Sequence, residues 1–304
     1  MSQGGGMGWI WYLAILVTVF FWGMSFLWSD SVLDQQVPVF TFIFTRMVLA
    51  ATVLSLFSLL TGRLQRIRRG DLKWFAAMTA FEPFLYFIGE TFGLKITGSP
   101  TLCSVIIATI PVFTLIVGQI FFKEKLSHLN RVGIFVAVAG VVVFILLGGS
   151  LHTDYLYGIA VLFLAVAGST GYTAICKKLV DKGYNAFTIV TWQFILAAGY
   201  FLVPFLIWDA ATWSPVYLSW PVLRPILALA VLCSGVAFVL YAACVRHIGM
   251  TRTTVFLPLV AIVSAVAASL MGQDVLQPLQ MAGIVVAMAG VVMAQYNPQT
   301  QHEA

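Results

Sequence analysis

Apolar runs of about 20 residues follow one another almost without pause from Ile10 to Tyr296. A helix of that length covers roughly 30 Å, the thickness of a bilayer's hydrocarbon core. In lipid every backbone N–H and C=O must find its partner inside the protein, so such runs are read as helices. Charged residues are 9% of the chain, against about 25% in a soluble domain, and most of the surface must therefore face lipid. Ten spans can be cut out: Ile10–Ser29, Pro38–Leu60, Lys73–Phe92, Ser99–Phe122, Leu129–Leu147, Tyr155–Lys177, Ala186–Ile207, Pro221–Ala243, Thr251–Met271 and Pro278–Tyr296. The first lacks a basic leader and has bulky Trp28 where a cleavage site needs small residues, so it is read as a retained helix.

Two of these spans are nearly the same helix. Gly133–Val143 reads GIFVAVAGVVV and Gly283–Met293 reads GIVVAMAGVVM, with eight of eleven positions identical at an offset of 150. Val39–Ala51 aligns with Ala186–Ala198 at an offset of 147, which sets Arg46 opposite Gln193. Lys95–Gly98 matches Arg246–Gly249, and Glu124 matches Asp274. The second to fifth spans thus correspond to the seventh to tenth, while the first and sixth align poorly. Five spans is an odd number, so the second half must enter the membrane from the opposite side. The expected fold is all-α integral membrane, with ten transmembrane helices as two inverted five-helix repeats over 10–148 and 155–296, and short tails at 1–9 and 297–304. Gly133 and Gly140, like Gly283 and Gly290, make a small-residue face with Ala137 or Ala287 between them. Such a face serves close helix packing, within the fold or at a dimer contact.

The charges orient the chain. With the N-terminus inside, 13 of the 16 Lys and Arg fall in inner loops, from Arg63, Arg66, Arg68 and Arg69 to Arg246 and Arg252. Lys95 and Arg224 lie outside, and Arg46 lies within a span. The positive-inside rule then places both termini in the cytoplasm. The net charge of +5 reflects these anchors and calls for no nucleic-acid partner.

Phe21-Trp22-Gly23, Arg46, the run Ala108-Thr109-Ile110-Pro111-Val112-Phe113, Glu124 and the Gly133/Gly140 pair together resemble EamA-type members of the drug/metabolite transporter superfamily. The likeness covers nearly the whole chain. It implies a carrier of small metabolites in the cytoplasmic (inner) membrane, from a family with varied substrates. The second half departs from the pattern, because Asp274 stands for the usual Glu and Ala261 stands opposite Pro111.

Three ionisable residues lie at membrane depth, where charge is costly and faces a protein interior or a wet cavity. Arg46 admits three readings: an ion pair with Glu82 or Glu90, a seat for a substrate carboxylate, or a side chain snorkelling to the headgroups. Family resemblance favours a structural share. Glu82 sits beside Pro83, whose missing N–H frees backbone carbonyls for an amine or proton site. Glu90 shares much the same helix face. Trp22, Ser25, Tyr86, Tyr172, Trp192, Gln193 and Tyr241 also lie well inside spans, as packing or as cavity lining. Pro83, Pro111, Pro258 and the Gly168-Ser169-Thr170-Gly171 run are expected to interrupt the third, fourth, ninth and sixth spans. Breaks at corresponding places of two halves point to a central site.

No phosphate loop, HExxH or nucleophile elbow is present, and His128, His152, His247 and His302 are scattered near loops and the tail. Cys103, Cys176, Cys233 and Cys244 lack metal-type spacing and read as buried apolar residues without a disulfide. The sequence calls for no enzyme activity, cofactor or metal. It is compatible with a monomer or a homodimer, and with proton coupling, other ion coupling or none. Among function classes, a secondary-active or facilitative transporter of a small polar metabolite comes first, with amino-acid export leading. Import of an amine, sugar or nucleobase is the alternative. A lipid-acting enzyme would need clustered acid–base groups at one membrane face, and a receptor-like protein would not need inverted halves with buried charge.

Overall fold

The computed structural model describes residues 8–122, 127–147 and 153–296, so Glu124 of the family pattern lies outside the described residues. The helices are α1 (Gly8–Leu33), α2 (Val39–Leu60), α3 (Leu72–Thr79), α4 (Tyr86–Thr97), α5 (Pro100–Ile107), α6 (Ile110–Phe122) and α7 (His128–Leu147). They continue with α8 (Thr153–Asp181), α9 (Ala186–Pro204), α10 (Trp220–Ala228), α11 (Phe238–Ile248), α12 (Met250–Thr254), α13 (Leu259–Met271) and α14 (Pro278–Gln295). Among the described residues nine helices are long and apolar enough to cross a membrane. The expected third span is not one of the nine: it carries Lys73, Glu82 and Glu90, and its helix is broken in the middle.

The breaks follow from local chemistry. Glu82 has extended dihedrals (φ −145°, ψ 121°) inside the π-helical segment Ala80–Leu85 that joins α3 to α4. Pro83 cannot donate to a helical ladder, so the chain is free to leave it there. Ala108 and Thr109 form a turn between α5 and α6, and Pro111 sits in the first turn of the new helix, where a missing N–H is harmless. Residues 255–258 form the matching turn before α13, ending at Pro258. The expected interruption at Gly168 and Gly171 does not occur, because α8 runs unbroken from Thr153 to Asp181. These glycines serve approach rather than bending. A Cβ on Gly168 would lie 2.6 Å from the carbonyl oxygen of Phe81, and one on Gly171 would lie 2.5 Å from the Phe81 ring. Only a bare helix face lets α8 seat the break of its neighbour.

Packing crosses between the two parts of the chain. α1 lies on α13, α11 and the π-helical Leu229–Ala237 segment, while α8 lies on α3, α4 and α5. The first and sixth spans, unlike in sequence, therefore take matching places. α2 and α9 run antiparallel: Thr41 near the start of α2 meets Asp209 beyond the end of α9, and Ser58 near the end of α2 meets Thr191 near the start of α9. α7 and α14 are antiparallel too. Asn130 Nδ2 donates to the carbonyls of Ala294 (2.7 Å) and Tyr296 (2.9 Å). Their small faces meet each other, and Cβ atoms on Gly133, Gly140 and Gly290 would each come within 2.3 Å of a backbone nitrogen across the contact.

Side-chain caps tie the parts together at both ends of the bundle. At one end, the Asp71 carboxylate accepts from Lys182 Nζ and from Tyr184 Oη (2.9 Å). Beside it, Gln65 Oε1 accepts from the Asn185 N–H (2.7 Å), and Thr188 Oγ1 accepts from the Gln65 N–H (2.8 Å). At the other end, Asp209 accepts from the Thr41 N–H (2.6 Å), and Asp274 accepts from Ser99 Oγ (3.1 Å) and the Thr101 N–H (2.9 Å). Both aspartates satisfy first-turn N–H groups of α2 and α5, where negative charge is favoured. The Arg63–Lys73 loop thus touches the Lys182–Thr188 loop, two segments that the charge pattern assigns to the same side.

Candidate functional site

Three broken spans face one another and leave a cavity between them. α1 contributes Trp22, Ser25 and Phe26, α2 contributes Arg46, and the helix break contributes Glu82. α4 supplies Tyr86, Phe87 and Glu90, and the α5–α6 turn supplies Ile107, Ala108 and Ile110. From the second part of the chain come Ser169, Tyr172 and Thr173 on α8, Phe238 and Tyr241 on α11, and Leu257 and Val260 around the second turn. The space open to the centre of a water molecule is about 60 Å³, room for a few waters or a small polar solute.

The charged groups are buried: Arg46 is 3% exposed, Glu82 5% and Glu90 2%. Arg46 Nε donates to Ser234 Oγ (3.0 Å), and its guanidinium lies 4.3 Å from the centre of the Phe87 ring. Among the described residues no carboxylate approaches Arg46 within ion-pair distance, since the ion pair formed is Lys182–Asp71. The direct Arg46–Glu pair is therefore replaced by a hydroxyl and a ring face. Snorkelling is overturned as well, because the side chain is enclosed. One oxygen of Glu82 and one of Glu90 are buried with no donor, as is the Tyr172 hydroxyl. The Trp22 ring packs against Phe238 (5.2 Å) and Tyr241 (5.1 Å), and its Nε1 donates to the Cys233 carbonyl (3.4 Å).

Eight of the ten polar and aromatic residues singled out in the sequence line this cavity: Trp22, Ser25, Arg46, Glu82, Tyr86, Glu90, Tyr172 and Tyr241. Trp192 and Gln193 do not. Gln193 is fully buried and donates from Nε2 to the carbonyl of Glu82 (3.2 Å), so it repairs the backbone that the break exposes. Trp192 faces a separate pocket under residues 64–69 and 72. Their helix, α9, presents no residue to the central cavity. Ser169, Thr173 and Phe238 are lining residues that the sequence reading missed. They stand three or four positions from Tyr172 or Tyr241, or next to Tyr172, and helical spacing around those tyrosines would have found them.

The EamA-like transporter profile matches residues 9–146 and again 156–296. The chain belongs to the EamA-like transporter family. An uncharacterized transporter of Archaeoglobus fulgidus is 27% identical over 187 residues, covering 62% of this chain and 64% of that protein. The chain thus spans somewhat less than two thirds of that relative's length. The uncharacterized transporter YcxC of Bacillus subtilis is 25% identical over 94% of this chain and 93% of its own. A protein of known crystal structure superposes with a TM-score of 0.66 at 15% identity, over 93% of this chain and 95% of that one, which shows a shared fold. As a member of the EamA-like family and of the drug/metabolite transporter superfamily, the chain is a multi-pass membrane protein of the transporter class, and the inner membrane is typical of bacterial homologues.

Proposed function

We propose that this EamA-like protein is a secondary-active or facilitative carrier of a small polar metabolite, working by alternating access between two inverted five-helix halves, 10–148 and 155–296, with both termini cytoplasmic. The observation that carries the reading is the shared cavity of Arg46, Glu82 and Glu90, buried at membrane depth where three spans are broken. Ionisable groups at such depth mark substrate or ion pathways. The antiparallel course of α2 against α9 and of α7 against α14 supports inverted halves, as do the matching seats of α1 and α8. With 72–97 as the tenth span, the Arg-rich loop at 63–69 and the Lys-rich end of α8 fall on one side, in keeping with a cytoplasmic face. Amino-acid export and import of an amine, sugar or nucleobase are the substrate readings in play. The driving force is the substrate's own gradient or an ion gradient.

Alternating access requires the contact between Gln65 and Asn185 to open in each cycle. Gln65→Cys with Asn185→Cys, joined by a short reducible thiol cross-linker in reconstituted vesicles, is expected to stop flux, and reduction to restore it. Full flux with the cross-link in place would rule out this route of opening.

A further inference from the structure

We propose that the central cavity takes an organic monocation, an amine bound in its ammonium form, with Glu82 as the seat of the charge. The inference rests on the transport reading above and names the substrate class of the same site. With both carboxylates ionised, the three ionisable groups in the cavity sum to one net negative charge. Arg46 is engaged by Ser234 Oγ and by the Phe87 face, and Glu90 is the carboxylate to which it is electrostatically coupled. Glu82 and Glu90 each keep a buried oxygen that no donor reaches, and of the two Glu82 is the one not coupled to Arg46. Removing a carboxylate from water without a donor is costly, and an ammonium supplies both the positive charge and three N–H donors.

The walls suit the same ligand. Trp22, Tyr86, Tyr172, Phe238 and Tyr241 surround the space, and the faces of such rings attract cations. A zwitterion would bring a third carboxylate into a cavity that already holds two. A sugar or nucleobase would leave the net negative charge unanswered. The helix break adds to the selection: the Glu82 carbonyl is taken by Gln193, while one oxygen of the Glu82 carboxylate has no donor.

The test uses the full chain in detergent or nanodiscs and ligands that share a body and differ in charge. 2-Phenylethylamine, phenylalanine and 3-phenylpropanoate form one series, and butylamine, norvaline and pentanoate the other. The ammonium member of at least one series is expected to bind about tenfold or more tighter than its zwitterion, with no binding of the carboxylate. Glu82→Gln is expected to abolish ammonium binding. Equal or tighter binding of the zwitterion, binding of a carboxylate, or no ammonium binding in either series would overturn the proposal. So would unchanged ammonium affinity in a folded Glu82→Gln protein. If that variant does not fold, the ranking on the wild-type protein decides alone. Flux in vesicles separates the two readings. Carriage of a zwitterion in preference to the amine overturns the substrate class and leaves the transporter standing. Amine binding without carriage of any ligand overturns the transporter and leaves the binding class.

Discussion

Arg46 shows how far a residue can be read before its surroundings are known. Its depth in the membrane was legible, because a charge in an apolar run has to face the protein interior. Its partner was not: Ser234 is 188 residues away, and a serine in an apolar span looks like packing. Ser234→Ala removes the acceptor of a buried charged donor and is expected to cost about 1.5–3 kcal/mol, read as a lower thermal midpoint with helix content unchanged. Trp192 and Gln193 mark the opposite limit, since sequence gave their depth and not the face of α9 they occupy. Outside the spans, hydrogen bonding from Lys182, with further help from Tyr184, holds the Asp71 carboxyl below its ordinary value. A lowered folded-state value means that the contact stabilises above the usual carboxylate range and is lost as pH falls through that range toward the lowered value. Asp71→Asn is therefore expected to melt earlier than wild type near pH 7. The gap between the two should close on acidification, which parallel melts across pH check.

Helices were the most legible level of this chain. Apolar length located nearly every span, and proline marked the regions of all three breaks, although the fourth span turns at Ala108–Thr109 rather than at Pro111 itself. Gly168 and Gly171 were misread as a break because a glycine pair signals either bending or close approach, and only the neighbour's backbone tells which. The α7–α14 contact gives the clearest energetic consequence. Alanine in place of Gly140 or Gly290 drives a methyl group into the backbone of the facing helix and is expected to cost about 1–3 kcal/mol despite alanine's better helix propensity. Gly283, whose Cβ would meet its nearest backbone atom at 3.2 Å, should tolerate the same change better. Comparing thermal midpoints of the three single variants checks the order. Asp274→Ala removes the cap on the first turn of α5 and is expected to cost about 1 kcal/mol by the same measurement.

At the scale of the molecule, the two parts of the chain are not side by side but interlocked, with α1 and α8 each seated on helices of the other part. That arrangement was invisible in the alignment, where the first and sixth spans have no recognisable likeness, because packing against a partner constrains size and face more than identity. It leaves one cavity lined by both parts, with carboxylate and amide hydrogen bonds joining the parts elsewhere in the bundle. The central claim is that solute passes through this cavity and depends on its carboxylates. The most direct test is flux into reconstituted vesicles across a panel of amines and amino acids, with wild-type protein beside a Glu82→Gln, Glu90→Gln double variant. The account predicts saturable flux of at least one solute by the wild type and its loss in the folded variant. Equal flux through both would contradict it.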